Sequence, residues 1–331
     1  MGKILLAPMD GLADCVLREV LTCVGGYDGA VSEFIRVSGS LLPPRTFLRV
    51  CPELANASRT RHGTPVVVQL LGSDPQCMAQ NAAQLAELAP AGIDLNFGCP
   101  APTVNRHGGG ATLLADPELI GRIAAAVRQA VVPAIPVSAK MRLGVSDTAR
   151  AIDCAQALAG AGVSSLVVHA RTRDDGYRPP AHWEWVAKIR EAVSVPVIAN
   201  GEVWTAPDHQ RCRQVTGCDD VMIGRGAVAD PFLARRIRAL VAGEALSEER
   251  GDDWFELLPA LADFWRLVQL RVEPRHAPGR LKLWLNCLRR TFAEADALYF
   301  AVRPLRSIEQ TAQMLAAHGV PVARDVLPRA A

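Results

Sequence analysis

At 331 residues, 50% of them apolar, the chain can bury one large core and a smaller appended domain. A formal net charge of +2 gives no overall pull toward a polyanion, so any such partner must be read from local charge. Nine cysteines without a Cys-x-x-Cys pair argue against a disulfide framework and against zinc or iron–sulfur ligation, and no metal is expected. No apolar stretch approaches membrane-spanning length, and the start, Met1-Gly2-Lys3 before five apolar residues, is too short for a signal-peptide core. A cytoplasmic protein with no membrane contact is expected.

Short β-like runs recur at 4–8, 30–34, 66–71, 93–97, 137–143, 166–171, 195–200 and 220–224. Helix-like segments lie between most of them, at 14–24, 75–88, 117–130, 148–159, 183–192, 207–215 and 231–241. Strand and helix alternating eight times predict a (β/α)₈ TIM barrel over 1–242, an α/β fold of about the usual size. After that the β-rich rhythm stops. Helices are predicted at 253–270, 280–292, 295–302 and 307–318, the last opened by Ser307 with Gln310 three residues on. A small all-helical C-terminal domain, 243–331, is therefore expected, entered through an acidic joining segment and ending in a frayed tail.

A barrel of this kind does its chemistry at the carboxyl ends of its strands. Polar or unusual residues stand there on every run: Met9 and Asp10, Glu33 and Arg36, Gln69, Asn96 and Cys99, Lys140 and Arg142, His169 and Arg171, Asn200 and Glu202, Gly224 and Arg225. Val197-Ile198-Ala199-Asn200-Gly201-Glu202 and Met222-Ile223-Gly224-Arg225-Gly226 suit a phosphate, because small residues admit close approach of backbone N–H groups and Arg225 adds a charge. Lys140 is costly to bury inside a barrel strand unless something pairs with it. His169 reads equally as a core histidine or a functional one.

Cys99 lies in Gly98-Cys99-Pro100, a turn at a strand end. Three readings stand open. It is an inert buried thiol, a nucleophile with a depressed pKa, for which His107 is too far along the following glycine loop to serve as base, or a general acid that needs only an ordinary protonated thiol. The segment 101–111, with two prolines and three consecutive glycines, reads as a loop.

Ile93-Asp94-Leu95-Asn96-Phe97-Gly98-Cys99-Pro100 and its glycine loop resemble the active-site segment of the tRNA-dihydrouridine synthases, flavoenzymes that reduce uridine in tRNA. Leu6-Ala7-Pro8-Met9-Asp10-Gly11, Val68-Gln69-Leu70, Lys140-Met141-Arg142-Leu143-Gly144, His169-Ala170-Arg171-Thr172, Asn200-Gly201-Glu202 and Met222-Ile223-Gly224-Arg225-Gly226 follow in the family's order. The likeness spans about residues 4–305. Within the family, Phe34-Ile35-Arg36-Val37, Leu41-Leu42-Pro43 and Cys51-Pro52-Glu53-Leu54 are similar to the bacterial DusC-like subgroup, which acts at tRNA position 16.

The resemblance implies FMN across the barrel mouth over Pro8, Met9 and Asp10, its phosphate near Asn200, Gly201, Glu202, Gly224 and Arg225. Gln69 would meet the pyrimidine edge of the flavin, Lys140 its negative charge when reduced, and His169 is assigned to the same site. It also implies that Cys99 acts as general acid toward C5 of uracil, with Asn96 on the base edge, Tyr177 on the flipped nucleotide, and NADPH or NADH as reductant. Arg36, Arg280, Lys282 and Arg303 match basic positions of the subgroup. Two arginine-rich runs accompany them, 36–61 with Glu53 as its one acid and 266–290 with Glu273 as its one acid, as expected for phosphate-backbone contact. Two alternatives remain, a barrel oxidoreductase on a free pyrimidine or another small substrate, and a non-catalytic tRNA-binding protein.

Overall fold

The computed structural model describes residues 2–106, 108–244 and 253–322. His107, most of the acidic joining segment and the tail from 323 on lie outside the described residues. The chain groups into two compact units, Met1–Cys15 with Tyr27–Gly224, and Val16–Gly26 with Arg225–Ala331.

The first unit holds strands β1 (Ile4–Leu6), β2 (Gly29–Val31), β3 (Ile35–Arg36), β4 (Val66–Leu71), β5 (Ile93–Phe97), β6 (Val137–Arg142), β7 (Leu166–His169), β8 (Val197–Asn200) and β9 (Val221–Ile223). All pair in parallel, in the order β2-β1-β9-β8-β7-β6-β5-β4-β3, and a β2–β4 pairing closes the ring. β2 and β3 are one stave in two pieces: β2 pairs with β4 at Val66 and Val67, β3 with β4 at Leu70 and Leu71. The result is the eight-stave α/β barrel expected from the alternation.

The break in the second stave has a local cause. The Ser32 hydroxyl accepts from Gln69 N at 3.1 Å, taking the donor a continuous ladder would use, and the Glu33 carboxylate turns back to accept from Gly11 N at 2.6 Å. Other helix boundaries follow their caps. Asp74 accepts from Cys77 N and Asp116 from Leu119 N, each with proline next, so the helices Pro75–Ala86 and Pro117–Ala130 start where the sequence puts them. Ala151–Gly160 begins three residues later than expected, since Asp147 draws Ala149 N into a turn. A helix at Pro44–Val50 was not expected. Proline at its first position needs no N–H partner there.

Inside the barrel, Ala7, Val31, Val167, Ile198 and Met222 form an apolar cluster, with Leu5 and Val67 against it. Register then decides what stands toward the strand ends. Asp94 faces Ser138, Asn96 faces Lys140, Arg142 faces His169, and His169 faces Asn200. Paired residues share a face and side chains alternate along a strand, so these polar groups point inward together.

The second unit is helical. Asp253–Arg271, Ala277–Leu288, Ala293–Val302 and Ile308–Ala317 surround Trp284, whose ring lies 4.7 Å from Phe264 and whose indole donates to Val228 O at 3.2 Å. Trp265 and Trp284 are almost wholly buried, and truncating either would cost about 3–5 kcal/mol. Ala277–Leu288 begins three residues before the expected 280, because Pro278 fits the first turn of a helix. Gly26, at φ +93°, lets the chain pass Ala234, whose atoms stand 2.7–2.8 Å from where a Cβ would sit.

Candidate active site

The carboxyl ends of the strands in the first unit bring together Met9, Asp10, Gln69, Asn96, Cys99, Lys140, Arg142, His169, Asn200 and Gly201. At the core of the site is a buried chain of hydrogen bonds. Ser138 Oγ and Gln69 Nε2 each donate to the Asp94 carboxylate at 2.6 Å. Gln69 Oε1 accepts from Asn96 Nδ2 at 2.7 Å, and Asn96 Oδ1 accepts from Gly98 N and Cys99 N, both at 2.9 Å. Burial pushes the Asp94 pKa up, while the bonds from Gln69 and Ser138 and the charge of Lys140 hold it down.

Cys99 is thus held on a turn capped from within the barrel. Arg142 holds the same turn through the Gly98 carbonyl. Its guanidinium is buried and donates to Gly98 O (2.9 Å), Thr172 O (2.8 Å) and Gly176 O (2.9 Å), tying the turn to the loop that carries Tyr177. The Tyr177 ring lies 5.3 Å from the Arg142 guanidinium and 6.1 Å from the His169 ring, with 52% of its surface exposed. Burial, with a smaller push from the Asp10 carboxylate, raises the Cys99 pKa above the ordinary thiol value, against an Ala101 backbone bond and the charge of Arg142. The thiol is therefore protonated at neutral pH, the state a general acid requires and the opposite of an activated nucleophile. Asp10 itself is raised by burial.

The segment after Cys99 is folded where it was expected as a loop. Pro102–Asn105 is a short helix and Gly110–Ala115 a 3₁₀ turn. Asn105 staples them, donating to Ala101 O and Cys99 O and accepting from Thr112 N, and Ala111 N closes back on Cys99 O. Gly110, at φ +62°, leaves no room for a Cβ, with Cys99 O 2.7 Å from that position.

From the neighbouring strand β6, Lys140 Nζ donates to Asn200 Oδ1 at 2.9 Å, and Asn200 Nδ2 donates to Met222 O. Burial, then the nearby Arg142 charge, lowers the Lys140 pKa to about 8, with Asp94 opposing. Gly201, at φ +118°, admits the His169 ring to 2.9 Å of where its Cβ would stand, and Trp183 Nε1 holds the Gly201 carbonyl at 3.0 Å. Beside Gly224, Ala7 Cβ and Met9 Sδ each lie 3.7 Å from where a Cβ would sit.

Not every expected residue faces this mouth. The Glu202 carboxylate accepts from the buried Arg171 guanidinium and from Ala181 N. Pro8 is half-buried beside Met9, and Arg36 is exposed at the end of β3. Arg225, Arg280, Lys282 and Arg303 belong to the second unit. Arg225 follows Gly224 directly and opens the helix Arg225–Ala229. Lys282 Nζ donates to Leu305 O, whereas Arg303 is exposed. Much of the basic run is balanced within the unit, with Arg266 on Asp263, Arg275 on Glu273, and Arg289 on Asp296 and over the Tyr299 ring at 4.5 Å.

Sequence reasoning passed over Asp94, Ser138 and the bridging role of Arg142. The signal was present, since Asp94, Asn96, Ser138, Lys140 and Arg142 alternate on one face of two neighbouring strands. All nine cysteines are free thiols, and burial pushes Cys212 up to about 12. Among the described residues no helix is long and apolar enough to cross a membrane.

Comparison with known proteins bears on this geometry. A family model described as "Dihydrouridine synthase (Dus)" matches residues 5–256. The tRNA-dihydrouridine(16) synthase of Ralstonia nicotianae is 61% identical over 306 residues, 92% of this chain and 93% of its own length. That of Cupriavidus necator is 60% identical over 92% of this chain and 94% of its own. A solved 2-naphthoyl-CoA reductase complex shares the fold at 11% identity, with a TM-score of 0.54 over 73% of this chain and 50% of that one.

Proposed function

We propose that this chain, which belongs to the dihydrouridine synthase family, reduces the C5=C6 bond of a uridine in tRNA, at position 16 as in its named relatives. The observation that carries the reading is Cys99, a protonated, partly exposed thiol on a turn fixed by Asn96 on one side and Arg142 on the other.

The residues present suit FMN. Lys140 is a cation largely withdrawn from water whose hydrogen-bond partner, Asn200, is neutral, an arrangement that favours an anionic ring beside it. Gly201 and Gly224 bring no side chain of their own to the phosphate end, and Arg225, next in the chain, would supply the charge. Pro8, Met9 and Asp10 form the floor, and Gln69, wholly buried beneath the mouth between Asp94 and Asn96, is the residue proposed for the pyrimidine edge. His169, pressed against Gly201, closes the wall. When bound, FMN supplies hydride to C6 of the uracil, with NADPH or NADH as the reductant.

The chain's own part is proton delivery and placement. Cys99 Sγ–H gives its proton to C5, leaving a thiolate that solvent reprotonates. Burial around the thiol keeps it loaded between turnovers. Tyr177, exposed and stacked over Arg142, offers a ring on which an extracted base can lie, and extraction from the folded tRNA costs a few kcal/mol. Backbone contacts from Arg36, Arg280 and Arg303 offset that cost. Asn96 keeps one amide hydrogen beyond its bond to Gln69 for the base edge.

The test is incubation of the purified protein with NADPH and unmodified tRNA transcripts, with dihydrouridine located by mass spectrometry of nuclease fragments. Product at position 16 is expected. Product elsewhere would overturn the position, and a yellow protein bleached by NADPH that leaves tRNA unchanged would favour a small substrate.

A further inference from the structure

The chain Ser138, Asp94, Gln69, Asn96 and the Cys99 turn has a direction, and its two ends agree on it. At the turn, Gly98 N and Cys99 N can only donate, so Asn96 must present Oδ1 to them and Nδ2 to its other neighbour. Gln69 must then offer Oε1 to Asn96 and Nε2 to the partner beyond. That partner has to be an acceptor. Asp94 meets the demand with its carboxylate, Oδ2 accepting from Gln69 Nε2 and Oδ1 accepting from Ser138 Oγ.

We propose that Asp94 is a positioning residue whose acceptor-only carboxylate fixes the amide orientation of Gln69, and through Asn96 the turn that carries Cys99. Without such an end only the two N–H groups of the turn oppose the reversed chain, which would point Asn96 Nδ2 at both of them. The assignment deepens the proposed function and rests on it for the purpose the turn serves. Thiol alkylation reads the turn whether or not Cys99 is the acid, so the two ideas fail separately.

Ser138 makes the direction testable, because a hydroxyl accepts as readily as it donates. In Asp94→Asn the new amide can keep Oδ1 toward Gln69 while giving Nδ2 to Ser138 Oγ, so the direction survives. In Ser138→Ala the carboxylate still accepts from Gln69, and again it survives. In the double variant the far end favours neither orientation of the amide introduced at position 94, and the direction rests on the N–H groups of the turn alone.

The experiment is site-resolved alkylation of Cys99 by iodoacetamide, followed by peptide mass spectrometry in the full-length protein as purified, with Cys15 and Cys287 as internal references. D94N and S138A should each stay within about threefold of the parent rate. D94N/S138A should exceed it by about tenfold, the change expected when the net contribution of one hydrogen bond is lost from the closed turn. Strongly non-additive rates support the assignment. If the charge of Asp94 toward Lys140 were what mattered, D94N alone would give the whole change. If only packing mattered, the single effects would multiply. Either result overturns the proposal. Should the double variant not fold, D94N still decides, since a rate about tenfold above the parent is incompatible with a direction that Ser138 can hold.

Discussion

Replacing Lys140 with methionine separates what this residue does for the fold from what it does at the site. Its pKa falls from 10.5 to about 8, so keeping the charge in place at neutral pH costs about 3 kcal/mol before allowance for the surface it still shows to solvent. Methionine removes that cost but leaves Asn200 Oδ1 without its donor, a loss of about 1–3 kcal/mol. Flavin-free Lys140→Met should therefore be as stable as the parent at pH 7, or more stable by up to about 2 kcal/mol.

The pH dependence carries the sharper signature. Between the folded value near 8 and the unfolded value of 10.5 the unfolded chain binds more protons at this position than the native one. Parent stability therefore rises with pH across that window. Measured by urea unfolding, the parent should gain on Lys140→Met by about 2 kcal/mol between about pH 8 and pH 9.5. In the same variant, flavin affinity should fall most for the reduced form. A stability difference flat with pH, or a loss beyond about 2 kcal/mol at pH 7, would refute the argument.

Cys99→Ala should keep FMN and tRNA binding but lose roughly 10²–10⁴-fold in turnover, measured as dihydrouridine formed per enzyme, since one acid step is removed. Because the Cys99 pKa is raised, its iodoacetamide rate at about pH 8 should lag that of a free thiol and catch up only above the ordinary thiol range; a rate profile matching glutathione would contradict the burial argument. Arg142→Lys, which cannot reproduce the planar fork, should make the 172–178 loop more sensitive to limited proteolysis and lower turnover while FMN remains bound. Lys282→Ala should cost about 1 kcal/mol in chemical denaturation through the lost Leu305 bond, whereas Arg303→Ala should leave stability alone and weaken tRNA binding with a salt slope lower by about one. Unchanged stability in Lys282→Ala would return that lysine to the RNA contacts.

The barrel was legible because eight buried strands leave short apolar runs with turn residues between them, and proline after aspartate marks helix starts that the caps of Asp74 and Asp116 make physical. The split second stave was not legible, since it depends on Ser32 meeting Gln69 N, a contact 37 residues apart. At the site, residue types were readable and their partners were not. Lys140 announced itself as a charge inside a strand, but that Gln69 is turned to Asp94 and Asn96 to the Cys99 turn follows from strand register. The ion pairs of the basic run could not be read from its own residues. Arg266 and Arg289 take their carboxylates from Asp263 and Asp296, just outside it.

The three acceptors that Arg142 holds are main-chain carbonyls, of Gly98, Thr172 and Gly176. Every amino acid brings such an oxygen, so the clamp is blind to what the neighbouring side chains are. Arg173 and Asp174 can be exchanged by mutation without removing any of these three acceptors. The loop is in this sense a replaceable fitting on a fixed mount, and over evolutionary time it can be reshaped toward a different nucleotide or a different bend of RNA while the chemistry beneath is inherited unchanged.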